Sequence, residues 1–180
     1  TPAEERVEQP TIIYVMDESY WDVSELEQYG FQFDTDVSAN LHALQQNSAY
    51  GRVYSPSFGG GTCDVEFEAL TGYSVSYLPN GSKPYQQHVT KPKFALPSYL
   101  KTQGYQTAAV HCFWARYWSR DTAYPNLGLD DFISLETMHG VEKVRRHYWT
   151  TGLVTDDSMA DQIIGQYETM KEKSDAPVFL

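Results

Sequence analysis

The chain of 180 residues is long enough for one domain with a substantial apolar core. Thirteen lysines and arginines against 24 aspartates and glutamates give a formal net charge of -11. This acidic balance argues against nucleic acid as a partner and against loose electrostatic adhesion to anionic lipid, because both require a basic face. With 41% hydrophobic residues, the sequence predicts a folded chain and not a disordered acidic tail.

The first half of the chain begins with a polar, acidic segment, residues 1–10, which we interpret as a linker or chain edge. Residues 11–16 (TIIYVM) are continuously apolar and predict a strand covered on both faces. Residues 73–93 contain prolines and a glycine and predict an extended surface loop. The elements predicted between these segments are a helix over 38–47, a strand over 49–54 and a helix over 62–70.

The second half continues the alternation of helices and strands. Residues 156–173 predict a long amphipathic helix, because their apolar side chains recur every three or four positions. The chain stops within PVFL, residues 177–180, where a buried strand begins, so we expect a truncated, larger domain. The other predicted elements are a helix over 94–103, a strand over 106–113, a helix over 120–124 and a strand over 131–135.

Alternating strands and helices predict an α/β/α sandwich around a mostly parallel sheet. Ligands bind such folds beyond the carboxyl ends of the strands. No run of about 18 apolar residues occurs, so we expect no membrane-spanning helix within the sequence. Two cysteines, Cys63 and Cys112, do not make a disulfide framework.

Two carboxylates, Asp17 and Glu18, directly follow the first predicted strand. Carboxylate oxygens at this position could hold a divalent cation, because hard metals prefer oxygen ligands. The alternative is a solvated strand end or a helix cap.

A glycine-rich loop, residues 59–61, precedes Thr62 at the start of a predicted helix. Backbone N–H groups at a helix start favour an anion such as phosphate, and a hydroxyl beside a metal can become a nucleophile. The alternative is that Thr62 only caps the helix. We interpret the neighbouring Cys63 as a packing residue, because no histidine follows at a useful spacing.

A third cluster follows the predicted strand 106–113. Arginine offers a bidentate fork to phosphate and tryptophan offers an apolar wall, so the cluster indicates a site for an anionic head joined to an organic group. The alternative is surface aromatics covered by arginine stems. The cluster consists of His111, Trp114, Arg116, Trp118 and Arg120. The other histidines, for which nothing nearby suggests a ligand set, are His42, His88, His139 and His147.

Together these motifs resemble the lipoteichoic acid synthase and phosphoglycerol transferase family of the alkaline phosphatase/sulfatase superfamily. The specific blocks are GGGT-x-x-x-EFE-x-LTG, over residues 59–72, and W-x-R-D-x-x-Y-x-x-LG-x-D-x-F, over residues 118–132. The resemblance covers about residues 10–180. It implies an alkaline phosphatase-like fold in which residues 11–180 form the N-terminal portion of the catalytic domain.

The resemblance also implies roles for single residues. Glu18 matches the family's glutamate metal ligand, and Thr62 matches its nucleophile, which also touches the metal. Trp118 and Arg120 match the pair that holds the phosphoglycerol group, and His111 matches a histidine of the same pocket. The metal is usually Mn²⁺, with Mg²⁺ or Zn²⁺ as alternatives.

The implied reaction starts on a phosphatidylglycerol-like lipid head group. The threonine displaces diacylglycerol, and the resulting glycerophospho-threonine passes its group to an acceptor hydroxyl, such as that of a glycerophosphate polymer. Such enzymes are anchored by N-terminal transmembrane helices, and the catalytic domain lies on the extracellular face of the bacterial cell membrane. True sulfatases are disfavoured, because Cys63 lacks the C/S-x-P-x-R context that formylglycine formation requires.

One departure from the family concerns the metal site. The family completes this site with a C-terminal Asp-His pair that these 180 residues cannot contain, so we expect weak or no metal binding and no turnover by them alone. We also expect copies of such a piece to pair over the interrupted sheet. Two alternatives stay open: another superfamily enzyme (a phosphodiesterase, phosphoethanolamine transferase or sulfatase-like hydrolase), or a non-catalytic anion-binding chain.

Overall fold

The computed structural model describes residues 9–17, 19–146 and 149–180. It separates into two compact units. The main unit comprises the chain up to Val15 together with Pro56–Leu180, and the small unit comprises Met16–Ser55. None of the helices in the described part of the chain is both long and apolar enough to cross a membrane.

Between residues 96 and 134 the main unit alternates helices and strands as the sequence predicts. The helices are α1 (Ala39–Asn47, in the small unit), α2 (Thr62–Thr71), α3 (Pro84–Gln87), α4 (Leu96–Thr102), α5 (Arg120–Leu127) and α6 (Asp156–Lys173). The strands are β1 (Gln106–His111), β2 (Asp131–Ser134), β3 (Lys143–Arg146), β4 (Trp149–Val154) and β5 (Val178–Phe179).

A parallel sheet lies at the centre of the main unit. Among the described residues its strand order is β2-β1-β5, with His111 opposite Ser134 and Gln106 opposite Val178. Successive side chains of a strand point to opposite faces of the sheet. Ala109 and Phe179 therefore pack into one apolar cluster, and Ala108 and Val178 pack into another.

Helices cover both faces of this sheet. On one face α6 packs with Ile163, Tyr167 and Met170 against the strands. The opposite face carries the larger cluster, to which α2, α4 and α5 contribute Phe67, Leu100 and Leu127. The predicted α/β/α arrangement with a parallel sheet is thus confirmed.

The long helix α6 matches its predicted span, residues 156–173. The hydroxyl of Thr155 caps its first turn by accepting a hydrogen bond from the Ser158 N–H, at 3.3 Å. Acidic residues in the first turn and lysines in the last turn complement the helix dipole.

Two predicted strands differ in the structure. Residues 11–16 do not form the predicted strand. They lie beside β5, a strand of only two residues, and pair with it through a single β-bridge at Ile12. Ile12 N donates to Val178 O at 2.8 Å and Tyr14 N donates to Leu180 O at 2.7 Å, which confirms the parallel direction. Val15 is 66% exposed, however, so the expected cover on both faces is wrong. The predicted strand over residues 49–54 is wrong: these residues form no strand, and Val53 is 93% exposed and Tyr54 99% exposed.

The segment 73–93 is not a simple surface loop. It contains a 3-10 helix at Val75–Tyr77 and the short helix α3, and it buries Tyr85 and Val89 fully. These apolar side chains outweigh the loop signal of the neighbouring prolines. The antiparallel hairpin of β3 and β4 was not predicted; His147 lies outside the described residues.

The small unit is organised around His42, on α1. Its Nδ1 lies 2.9 Å from Asp36 Oδ2, and its Nε2 lies 2.8 Å from Asp22 Oδ2. Asp22 also caps the 3-10 helix Val23–Tyr29, so the histidine joins two helices and the loop between them. A cavity of about 400 Å³ beside it is lined by acidic side chains, including Glu27 and Asp34.

We predict that the small unit loses stability in mild alkali. Hydrogen bonds to Asp36 and Asp22 raise the pKa of His42. Because the pKa of His42 is higher in the folded state, its protonation stabilises the small unit fully at pH values below the unfolded-state pKa of about 6.5. This stabilisation is lost as the pH rises through the folded-state pKa. The pKa values of Asp22 and Asp36 are lowered, by hydrogen bonds to Ser24 and His42 respectively, so their contribution is lost only in acid.

Amide hydrogen exchange of Met16–Ser55 at about pH 6 and about pH 9, corrected for the intrinsic rate, measures this loss. His42→Gln should remove the pH dependence of protection. His139→Gln, at an exposed position, is the matched control and should keep it. Equal pH dependence in wild type and His42→Gln would contradict the prediction.

Candidate active site

Two of the three sequence motifs meet in the main unit. The helix α2 begins with Thr62, the turn between β1 and α5 carries Trp118, and α5 begins with Arg120. Arg120 reaches Glu66, one turn into α2, and joins the two motifs directly. The GGGT block and the W-x-R-D block are therefore neighbours in space as well as candidates by residue type.

Thr62 is the first helical residue of α2 and is half-buried. Gly61 occupies the N-cap position with a φ of 92°, in the left-handed region that favours glycine. The alternative in which Thr62 serves as the N-cap is therefore wrong. Its hydroxyl lies on the first turn of the helix, where the backbone partial charge is positive.

Glu66 and Arg120 form a buried ion pair. Arg120 is 1% exposed and Glu66 is 8% exposed. The Arg120 Nε donates to both carboxylate oxygens, at 3.2 and 3.1 Å, and Nη2 donates to Oε1. The Tyr124 hydroxyl donates to Oε2 at 3.0 Å. The Glu66 carboxylate thus accepts hydrogen bonds from three donor atoms, two of Arg120 and one of Tyr124, as a buried charge requires.

Arg120 stays charged in this network. Burial by itself lowers the pKa of Arg120, but the hydrogen bonds and negative charge of Glu66 outweigh it and raise that pKa overall. Burial and the charge of Glu66 also raise the pKa of Tyr124, which therefore stays a neutral donor. Sequence reasoning missed Glu66 as a site residue; the EFE letters of the first block were the available signal.

The turn before α5 is strained. Trp118 and Ser119 have φ values of 57° and 60°, which are unusual for residues other than glycine. Such residues cost about 1 to 3 kcal/mol each, so the surrounding contacts must hold them. Arg120 Nη1 donates to Tyr117 O at 3.2 Å, and the Tyr117 and Trp118 rings meet edge to face at 5.4 Å. The buried arginine thereby fixes the turn that presents Trp118.

His111 ends β1, as predicted, and lies at the carboxyl edge of the sheet. Burial and the positive charge of Arg120 lower the pKa of His111 to about 3, so the imidazole is neutral near neutral pH. Its Nε2 is buried and has no hydrogen-bond partner among the described residues. A buried imidazole nitrogen in this state can donate to or accept from a ligand, but it supplies no positive charge.

Of the predicted metal motif, Asp17 and Glu18, only Asp17 lies within the described residues. Glu18 lies outside the described residues, and Asp17 is exposed in the small unit. No group of three or more His, Cys, Asp or Glu side chains in the described ranges could hold a metal ion. The described residues therefore do not make a complete metal site.

Cys63 follows Thr62 and packs into the core with no exposed surface. Burial, with the charge of Asp64, raises the pKa of its thiol to about 12. A thiol is a poor nucleophile, because the thiolate is the reactive form. In the described structure Cys63 and Cys112 are not joined by a disulfide. The interpretation of Cys63 as a packing residue agrees with this environment.

The sulfatase family profile matches residues 10–180. The chain belongs to the sulfatase family. It is 36% identical over 164 residues to a Rhizobium meliloti (strain 1021) protein named for cyclic beta-1,2-glucan modification, covering 91% of this chain and 24% of the relative. It is 25% identical over 176 residues to the capsular polysaccharide biosynthesis protein RkpI of the same organism, covering 96% of this chain and 31% of RkpI. The chain thus spans less than a third of these relatives.

Two solved structures confirm the alkaline phosphatase-like fold. The lipoteichoic acid synthase LtaP of Listeria monocytogenes superposes with a TM-score of 0.58 at 19% identity, over 70% of this chain and 28% of LtaP. An alkaline phosphatase superfamily protein of Vibrio parahaemolyticus gives 0.50 at 21% identity, over 66% of this chain and 26% of that one. At such identities the likeness establishes the fold and leaves the reaction to the site residues.

We predict that Glu66→Gln destabilises the protein by about 3 to 5 kcal/mol, because Arg120 would keep a buried charge without its counter-ion. Urea unfolding measures the loss. The double variant Glu66→Gln/Arg120→Met should lose less than the single variant. Lys173→Met is the matched control, since the exposed Lys173–Asp131 pair at 3.7 Å is worth at most about 1 kcal/mol. A single-variant loss as small as the control's would contradict the prediction.

We predict that Cys63 resists alkylation in the folded protein. The half-buried Cys112 should react with iodoacetamide first, and Cys63 only after unfolding, because its sulfur has no exposed surface. Peptide mass spectrometry of a time course separates the two sites. Rapid native modification of Cys63 would show that this part of the core opens.

Proposed function

We propose that the protein is a metal-dependent phosphoglycerol transferase of the lipoteichoic acid synthase type, in which Thr62 is the nucleophile. The observation that carries the proposal is the Glu66–Arg120 ion pair, which brings the helix of Thr62 together with the turn of Trp118. The resemblance supports a nucleophile in one of these blocks and a phosphoglycerol pocket in the other. Family membership supports the phosphoryl- or sulfuryl-transfer class as a whole.

The reaction balances in two displacements. The Thr62 hydroxyl gives up its proton as its oxygen forms a bond to phosphorus, the bond from phosphorus to the diacylglycerol oxygen breaks, and the departing diacylglycerol oxygen takes up a proton. An acceptor hydroxyl then gives up its proton as it forms its own bond to phosphorus, the bond from phosphorus to Thr62 breaks, and the released Thr62 oxygen takes up a proton. The position of Thr62 on the first turn of α2 favours this role, because the helix start stabilises a developing negative charge.

A divalent cation, Mn²⁺ by the resemblance, supplies charge stabilisation at the phosphate when it is bound. Glu18 and Thr62 are its proposed ligands in this chain. Because the described residues hold no complete ligand group, we assign no step to the cation.

Trp118, Arg120 and His111 are the proposed substrate-binding residues. Trp118 supplies an apolar wall for the glycerol, and the neutral His111 supplies a hydrogen-bonding nitrogen. Arg120 is buried and held by Glu66 and by Tyr117 O, so its main contribution in this proposal is to position Trp118.

The acceptor in this proposal is a glycan hydroxyl. The support comes from the two curated relatives, one named for cyclic beta-1,2-glucan modification and one for capsular polysaccharide biosynthesis. The donor in this proposal is a phosphatidylglycerol-like lipid, and by the resemblance the reaction takes place at the extracellular face of the membrane. A glycerophosphate polymer is the competing acceptor, and the assay below separates the two.

The test uses the longest natural protein that contains these residues. We predict metal-dependent release of diacylglycerol from phosphatidylglycerol and at least about a thousandfold loss in Thr62→Ala, the scale of losing a nucleophile. Chelation should abolish the activity and Mn²⁺ should restore it. Thr71→Ala, at the other end of α2, is the matched control and should keep the activity.

Mass spectrometry should find a glycerophospho group on Thr62 when no acceptor is present. Adding a cyclic glucan or a glycerophosphate polymer then identifies which of them takes the group. Phosphoethanolamine on Thr62, or hydrolysis without transfer, would point to another superfamily enzyme. Full activity of Thr62→Ala would overturn the proposal.

A further inference from the structure

The side chain of Lys83 connects the two halves of the candidate site. Lys83 precedes α3, in the segment that the sequence predicts as a surface loop. Its Nζ donates to Asp64 Oδ2, in the first turn of α2, at 2.8 Å. It also lies 5.3 Å from the ring centroid of Trp118, within cation–π distance. One ammonium group therefore contacts both the helix of Thr62 and the proposed wall of the substrate pocket.

Gly61 shows how closely this ammonium approaches the nucleophile's turn. A Cβ at Gly61 would lie 2.9 Å from Lys83 Nζ, 2.9 Å from Asp64 Oδ2 and 2.8 Å from Ser57 Oγ. Real Cβ atoms do not make such contacts with three groups at once. The Lys83–Asp64 pair thus occupies the space that a side chain immediately before Thr62 would need.

Lys83 can supply the positive charge that the other candidate residues do not offer to an anionic substrate. The Arg120 guanidinium is buried against Glu66, and His111 is neutral. Lys83 is 31% exposed at its side chain, so part of this side chain faces solvent. Among the described residues Asp64 is the one hydrogen-bond acceptor of this ammonium, which has three N–H donors. Asp64 therefore fixes the position of the Lys83 ammonium and leaves N–H donors of that ammonium for a ligand.

We propose that Lys83 is a substrate-binding residue that contacts the phosphate of the glycerophospho group between Thr62 and Trp118, with Asp64 holding the ammonium in place. The proposal rests on the proposed function for the identity of the substrate. Its own basis is the juxtaposition of Lys83 with Gly61, Asp64 and Trp118.

The experiment compares Lys83→Met, which keeps the length and loses the charge, with Lys83→Arg, in the longest natural protein. Loss of one charge-assisted hydrogen bond should raise the KM for phosphatidylglycerol and the Kd for glycerol 1-phosphate about tenfold or more. Lys83→Arg should recover most of the affinity. Lys101→Met, which removes an exposed lysine paired with Asp130, is the matched control and should change neither constant.

Thermal unfolding separates binding from a structural role. Lys83→Met should keep a melting temperature close to that of the control while its affinity falls. Unchanged KM and Kd in Lys83→Met, or a loss of affinity that follows only a loss of fold, would overturn the proposal.

Failure of the proposed function is distinguishable from failure of this inference. If the wild-type protein turns over no glycerophosphodiester, the proposed function fails, and calorimetric titration with inorganic phosphate still tests Lys83. Weaker phosphate binding by Lys83→Met than by wild type would then support the assignment. Equal binding, or no measurable binding by wild type, would overturn it.

Discussion

The buried ion pair of Glu66 and Arg120 is the interaction on which the rest of the candidate site depends. It crosses from α2 to α5 and is completed by the Tyr124 hydroxyl and Tyr117 O. A buried pair of this kind adds little net stability, because desolvation offsets most of the attraction, but separating the partners is costly. Its effect is therefore geometric: it permits one relative position of two elements that are distant in the chain.

The sheet supplies the frame for that pair. The central strand β1 ends at His111, and the chain then turns back through Trp118 to α5, on the face that α2 also covers. The alternation of β1 directs Ala109 to one of the two apolar clusters and Ala108 and Val110 to the other. The site consequently lies at the carboxyl edge of a parallel sheet, where α/β folds place their ligands.

The electrostatics of the site follow from burial as much as from composition. Arg120 carries a full charge that Glu66 compensates, His111 is neutral because burial and Arg120 disfavour its protonation, and Cys63 stays a thiol. A strained turn at Trp118 and Ser119 is maintained by these fixed groups. The charged and polar groups of the candidate site thus lie around Trp118 and the first turn of α2. The protein as a whole carries a net negative charge.

The sequence by itself determined the fold class and the spans of most helices, because apolar periodicity and glycine stops are local signals: α2 ends at Gly72 and α6 covers its predicted residues. It also selected Thr62, Trp118 and Arg120 as candidates through two motif blocks. Only the tertiary structure decided which groups they meet. Burial of Arg120 on Glu66, the reach of Lys83 to Asp64 and the failure of 49–54 to pair depend on contacts between distant segments, which no local pattern encodes.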